Sequence, residues 1–119
     1  MALSLNRLMV LYGWVDYDIG RVYQREVVGE VDLMPEISLF YGIRITMNWN
    51  DHVPPHFHAE YNGDMALIDI INGSVLQGWL SKRQLKLVLA WSEIHKDELM
   101  QNWELARSHE SLNRILPLV

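Results

Sequence analysis

His56-Phe-His-Ala-Glu-Tyr-Asn62-Gly63-Asp-Met-Ala-Leu-Ile-Asp-Ile-Ile71-Asn72-Gly73-Ser-Val-Leu-Gln-Gly-Trp-Leu80 is the stretch that decides the fold. It holds two Asn-Gly dipeptides. Each supplies two residues that tolerate positive φ, which a two-residue type I′ hairpin requires. The flanking runs, 56–61, 64–71 and 74–80, are rich in apolar and β-branched residues. They predict a three-strand meander. With two-residue loops the register follows: His56 opposes Asp69, His58 opposes Leu67, Tyr61 opposes Asp64, and Ile71 opposes Ser74. Opposed residues share a face of the sheet. One face then carries Phe57, Ala59, Tyr61, Ala66, Ile68, Ile70, Val75 and Trp79. The other carries His56, His58, Glu60, Met65, Leu67, Asp69, Leu76 and Leu80.

Upstream, Ile37, Leu39, Tyr41, Ile43, Ile45 and Met47 are apolar at every second position. That period predicts one long strand before the meander. Asn50-Asp51-His52 and Pro54-Pro55 end it. Downstream, Ser81 stands three residues before Gln84, a capping-box spacing. No Pro or Gly follows until Pro117. One helix over 82–108 is expected, roughly 40 Å long. The expected fold class is therefore α+β: a four-stranded antiparallel sheet, a β-meander, packed by one long C-terminal helix. The helix face with Leu85, Val88, Leu89, Ser92, Leu99, Met100, Trp103 and Ala106 suits the sheet. Leu87, Trp91, Ile94 and Leu105 form a second apolar stripe. Either its own chain covers that stripe, or a partner binds at Leu87, Trp91 and Ile94.

Residues 1–33 show no sustained period. A helical turn at 3–11 and a strand at 21–28 are the expectations there. The 119 residues carry ten Lys+Arg against fifteen Asp+Glu, a net charge of −5. Residues 34–119 hold seven of those bases and ten of those acids. A general nucleic-acid-coating protein would be basic, so nucleic acid is not favoured as a partner. With no cysteine, a disulfide scaffold, a thiolate zinc finger and a thiol nucleophile are excluded. The longest apolar run, 8–15, is far short of the ~20 residues a spanning helix needs. No small-residue cleavage site follows it. The expected location is the cytoplasm, with no membrane role.

Met34-Pro-Glu-Ile-Ser-Leu-Phe-Tyr-Gly-Ile43, Asn50-Asp-His-Val-Pro-Pro-His-Phe-His-Ala-Glu-Tyr61 and Asn102-Trp-Glu-Leu-Ala106 resemble the bacterial family catalogued as domain of unknown function 4160. The resemblance covers residues 34–119. Family members begin at the Met-Pro-Glu-Ile-Ser position. Residues 1–33 are thus expected to be a weakly structured extension or the product of an upstream start. The family has no established activity. The resemblance implies a two-gene module of toxin–antitoxin type, in which this chain binds the neighbouring-gene product. A homodimer is the other partner expected.

His52, His56 and His58 lie within seven residues, beside Asp51. On a strand, His56 and His58 point to one face, about 7 Å apart. Three readings stay open. A metal site would draw on Asp51, His52, His56 and His58 for a divalent ion such as zinc, with Asp69 as ligand or orienter. Metal-free acid–base chemistry, as in a hydrolase or ribonuclease, would use His56 and His58, with Asp69 fixing a tautomer and Arg44 or Lys82 holding phosphate. A structural role would have Asp51-His52 cap the turn and the histidines bond backbone or acids.

Overall fold

The structure, a computed structural model, describes residues 34–119. The readings made for residues 1–33 lie outside the described residues. The sheet has five strands in the order β1 (Glu36–Phe40), β2 (Ile43–Thr46), β3 (His56–Tyr61), β4 (Asp64–Asp69) and β5 (Val75–Gly78), each antiparallel to the next. Two helices follow, α1 (Lys82–Ile94) and α2 (Lys96–Arg107). The α+β class and the meander stand. The numbers of strands and helices change. No helix among the described residues is long and apolar enough to cross a membrane.

The fifth strand comes from the run read as one strand. Tyr41 and Gly42 both take positive φ, 50° and 78°, and fold it into a hairpin with Phe40 opposite Ile43. A two-residue turn reverses the parity of the alternation. Phe40 and Ser38 therefore join Ile43 and Ile45 in the interior. Leu39 and Tyr41, expected inside, are 50% and 60% exposed. Ile37 stays buried through an irregularity between Glu36 and Ser38. The alternation was real, but it belongs to β2 alone.

The β3–β4 hairpin has the expected register at every pair from His56–Asp69 to Tyr61–Asp64. Asn62 and Gly63 have φ of 50° and 87°, as a type I′ turn needs. The second hairpin differs. Only Gly73 of Asn72-Gly73 has positive φ. Asp69 caps a longer loop: its carboxylate accepts from the Ile71 and Asn72 N–H groups at 2.9 and 3.0 Å. Ala66 then pairs with Gly78 and Ile68 with Val75, across a bulge. Gly78 (φ 85°) lies over the Met65 carbonyl, where a Cβ would fall 2.1 Å from the oxygen. Val75 opposes Ile68 at the open edge and is 39% exposed, and Trp79, beyond the strand's end, is 62% exposed.

α1 begins where Ser81 predicts, yet Ser81 Oγ bonds the Gln84 side chain rather than a backbone N–H. The single long helix is interrupted at His95 (φ −109°, ψ 27°). Val88, Ser92, Leu99, Trp103 and Ala106 are buried, as the first stripe requires. Trp91 corrects the partner reading. It is 0% exposed, packs on Phe40 and Phe57 at ring-centroid distances of 5.2 and 5.7 Å, and donates from Nε1 to the Leu116 carbonyl at 2.8 Å. Leu87 is half-buried against the same core. Of the proposed partner residues only Ile94 is exposed, at 66%.

The C-terminal tail completes this cover. Asn102 holds Asn113 through both its backbone groups, at 2.8 and 2.9 Å. Ile115 N–H then bonds the Ile37 carbonyl at 2.8 Å, and Ser38 Oγ donates to the Ile115 carbonyl at 2.9 Å. Within the second stripe Trp91 thus faces the chain's own β1 and tail, while Ile94 stays exposed.

Candidate metal centre

Side chains alternate across β3. Phe57 faces Trp91 of α1, so His56 and His58 point to the other side of the strand. They are nonetheless buried. At the register positions beside His58 stand Thr46 on β2 and Leu67 on β4. Trp103 of α2 packs on His56, with ring centroids 5.4 Å apart. The two imidazoles lie 5.5 Å apart.

The loop between β2 and β3 returns Asp51 to this face. It is pinned at several points. Asn50, at φ 58°, donates its N–H to the Ala106 carbonyl at the end of α2, 3.2 Å. Pro55 accepts from Ile70 N–H at 3.0 Å, and the Val53–Pro54 peptide is cis. Asp51 Oδ1 accepts from the His52 N–H at 2.8 Å. Its Oδ2 faces both histidines: His56 Nε2 at 3.0 Å and His58 Nε2 at 3.5 Å. One ligand atom each from Asp51, His56 and His58 lies within 4.8 Å of the others.

The protons on His56 follow from its neighbours. Nδ1 is 2.9 Å from the Pro54 carbonyl, which only accepts, so Nδ1 carries a hydrogen and donates. Nε2 is 3.0 Å from a carboxylate oxygen, which also only accepts. Without a metal, His56 is therefore an imidazolium paired with Asp51. Burial opposes the charge on His56, but the hydrogen bond and charge of Asp51 outweigh it and raise the pKa above 6.5. Burial likewise opposes charge on Asp51. Attraction from His56 and then His58 outweighs it and holds the carboxyl well below 3.8.

The pair makes metal-free stability depend on pH. The raised His56 pKa contributes stability that is whole below 6.5 and lost as pH rises through the raised value. The depressed Asp51 pKa contributes stability that is whole above 3.8 and lost as pH falls through the depressed value. Urea midpoints of the metal-free chain should thus be higher near about pH 5.5 than near about pH 8.5. Asp51→Asn should flatten that difference. An equal difference in the variant would show that the pair is not its source.

His58 has a different problem. Both ring nitrogens are buried and neither has a hydrogen-bond partner. Its Nε2 is 3.5 Å from Asp51, too far for a good bond. A buried polar group left unpaired costs about 1–3 kcal/mol.

Of the residues singled out in the sequence, Asp51, His56 and His58 come together. His52 is exposed and contributes only its backbone. Asp69 sits at the predicted position opposite His56, but its carboxylate serves the β4–β5 loop, including the Asn72 side-chain amide at 3.2 Å. Arg44, considered for phosphate, pairs with Glu36 at 3.2 Å and approaches Glu60 at 3.9 Å. Trp103, read only as a core anchor, also walls the site. Helical periodicity placed it inward but could not place it beside His56.

The model of the family described as Domain of unknown function (DUF4160) matches residues 42–104, more than half of the chain. The chain belongs to this family. The DUF4160 match runs from the β1–β2 turn into α2, so it includes all three converging side chains and Trp103. The resemblance read over 34–119 is wider at both ends. Neither a curated protein nor a solved structure matches the chain.

Proposed function

We propose that Asp51, His56 and His58 are the ligands of a divalent transition-metal ion, and that the protein is a metal-dependent hydrolase working at that site. One observation carries the reading: a buried His58 with no partner for either nitrogen, beside a carboxylate oxygen that also faces His56. Two ligands on a tetrahedral zinc, each at about 2.0–2.1 Å, stand about 3.3–3.5 Å apart. The 3.0 and 3.5 Å separations from Asp51 lie close to that, and all three ligand atoms lie within 4.8 Å of one another. Pro54 supports the same role. By holding Nδ1–H it leaves Nε2 as the metal-binding nitrogen, the usual outer support of a histidine ligand.

Three protein ligands leave room for a water, whose pKa a bound divalent ion lowers toward neutrality. Asp51 offsets part of the ion's charge, and Trp103 excludes bulk water from the His56 side. The metal-free alternative fares less well. A general base needs a free and reachable lone pair; both His56 nitrogens already donate, and both His58 nitrogens are buried. Of the two cations considered for phosphate, Arg44 is engaged by acids, which leaves Lys82, at the start of α1.

Equilibrium dialysis of the full chain against zinc tests this. One ion per wild-type chain and none per His58→Ala chain are expected. No ion on the wild type, or equal binding by both, would overturn it.

A partner protein is the second reading, favoured by a different surface from the one the helix stripe indicated. Among the described residues β5 pairs with β4 alone, and all four of its residues are exposed. Leu76 and Trp79 are exposed beside that open edge. The edge suits a partner that adds a strand, with Trp79 as the aromatic anchor. For the toxin–antitoxin arrangement, that partner is the neighbouring-gene product. Trp79→Asp should weaken copurification of that product at least about tenfold, a loss of about 1.4 kcal/mol or more. Unchanged recovery would remove this surface from the account.

A further inference from the structure

Among the described residues, the buried side-chain polar atoms without a partner are Asn48 Oδ1, Trp49 Nε1 and the two ring nitrogens of His58. All belong to the short stretch of chain that builds the candidate metal centre. His58 is accounted for by the ion. Asn48 is not.

The register places Asn48. Arg44 pairs with Glu60 and Thr46 with His58. The pairing ends at Thr46; extended two residues past it, the same antiparallel register sets Asn48 opposite His56. The side-chain alternation persists that far: Ile43, Ile45 and Met47 are all fully buried on the core face. Met47 N–H bonds the Pro35 carbonyl, at 3.3 Å, so the chain keeps its course beside the start of β1 one residue past β2. Asn48 therefore lies on the face of His56 and His58, where opposed Cβ atoms stand about 4.5–5.5 Å apart.

We propose that Asn48 belongs to the cation site, its amide oxygen serving as a further ligand beside Asp51, His56 and His58, so that with the water the ion would be five-coordinate. This rests on the metal reading above. An amide oxygen is a neutral acceptor of the kind divalent ions use, and it adds no charge to a site already holding one carboxylate. The neighbouring Trp49 Nε1 is a donor only and has no such role. A leucine of similar size would fill the same space without burying an unpaired acceptor. The asparagine has a physical purpose only if something cationic or donating meets it.

Calorimetric zinc titration and zinc-free melting of the full chain test this together, on wild type, Asn48→Leu, Asn48→Asp and His58→Ala. Asn48→Leu should bind zinc about 10–100-fold more weakly. Its zinc-free melting temperature should be unchanged or higher, because an unpaired acceptor has been replaced by apolar surface. Asn48→Asp should bind more tightly, since it brings a second carboxylate. A purely structural Asn48 gives the opposite pattern: lower zinc-free melting in Asn48→Leu with unchanged affinity, which would overturn the inference. Zinc binding lost in His58→Ala but kept in Asn48→Leu overturns this inference alone. Absence of binding by the wild type overturns the metal reading and this one with it.

Discussion

Zinc at about 100 times its dissociation constant should raise the melting temperature of the wild-type chain by about 10–20 °C. A ligand at that excess, bound only by the folded state, adds about 2.7 kcal/mol. In a domain of this size each kcal/mol is worth about 4–8 °C. His58→Ala and Asp51→Asn should lose the shift, for different reasons. His58→Ala removes a ligand whose nitrogens lack hydrogen bonds without metal, so its zinc-free stability should fall only by the ring packing lost against His56. Asp51→Asn leaves the buried His56 imidazolium without its counter-charge, so it should be weaker even without zinc. A zinc-induced shift of equal size in His58→Ala would place the ion elsewhere. The pH dependence adds a second handle. Protons compete for His56, so the zinc-induced gain should grow as pH rises, opposite in sign to the metal-free trend.

Trp91→Ala should destabilise the chain by about 3–5 kcal/mol, as for other large aromatic residues cut from cores. The ring touches Phe40, Phe57 and His95, and its N–H is bonded to the Leu116 carbonyl. Truncation leaves a cavity between the sheet and α1 and releases the tail there. Ile94→Asp, one helical neighbour away but exposed, should change stability by no more than about 0.5 kcal/mol. Urea denaturation of the two variants separates the possibilities. A loss below about 1 kcal/mol for Trp91→Ala would return that residue to the surface and revive it as a partner contact.

What the sequence disclosed, and what it hid, depended on loop length. Asn62-Gly63 joins β3 and β4 directly, and the His56–Asp69 register could be counted residue by residue. Asn72-Gly73 looks the same on paper. There Asp69 captures two loop N–H groups, lengthens the connection and moves β5. Local side-chain bonding beat the dipeptide rule. Tyr41-Gly42 is the reverse case: a tight turn without Asn, hidden inside an unbroken apolar alternation. The site was legible as a cluster because Asp51, His56 and His58 are close in sequence. Which acid served His56 was open, since strand register pointed to Asp69 while only the folded loop brings Asp51 back. Asn48 was out of reach. The place proposed for it beside His56 depends on the β2–β3 register, and the loop joining those strands is too long to count across. The second helical stripe was real too, but periodicity cannot say whether the chain's own tail or another molecule covers it.

X-ray absorption at the zinc edge, on the full chain dialysed after loading, reads the three proposed ligands on the bound ion. One zinc per chain is expected, with nitrogen and oxygen neighbours at about 2.0–2.1 Å and the outer-shell scattering of two imidazoles. A retained zinc without imidazole scattering, or no zinc retained after dialysis, would contradict that ligand set.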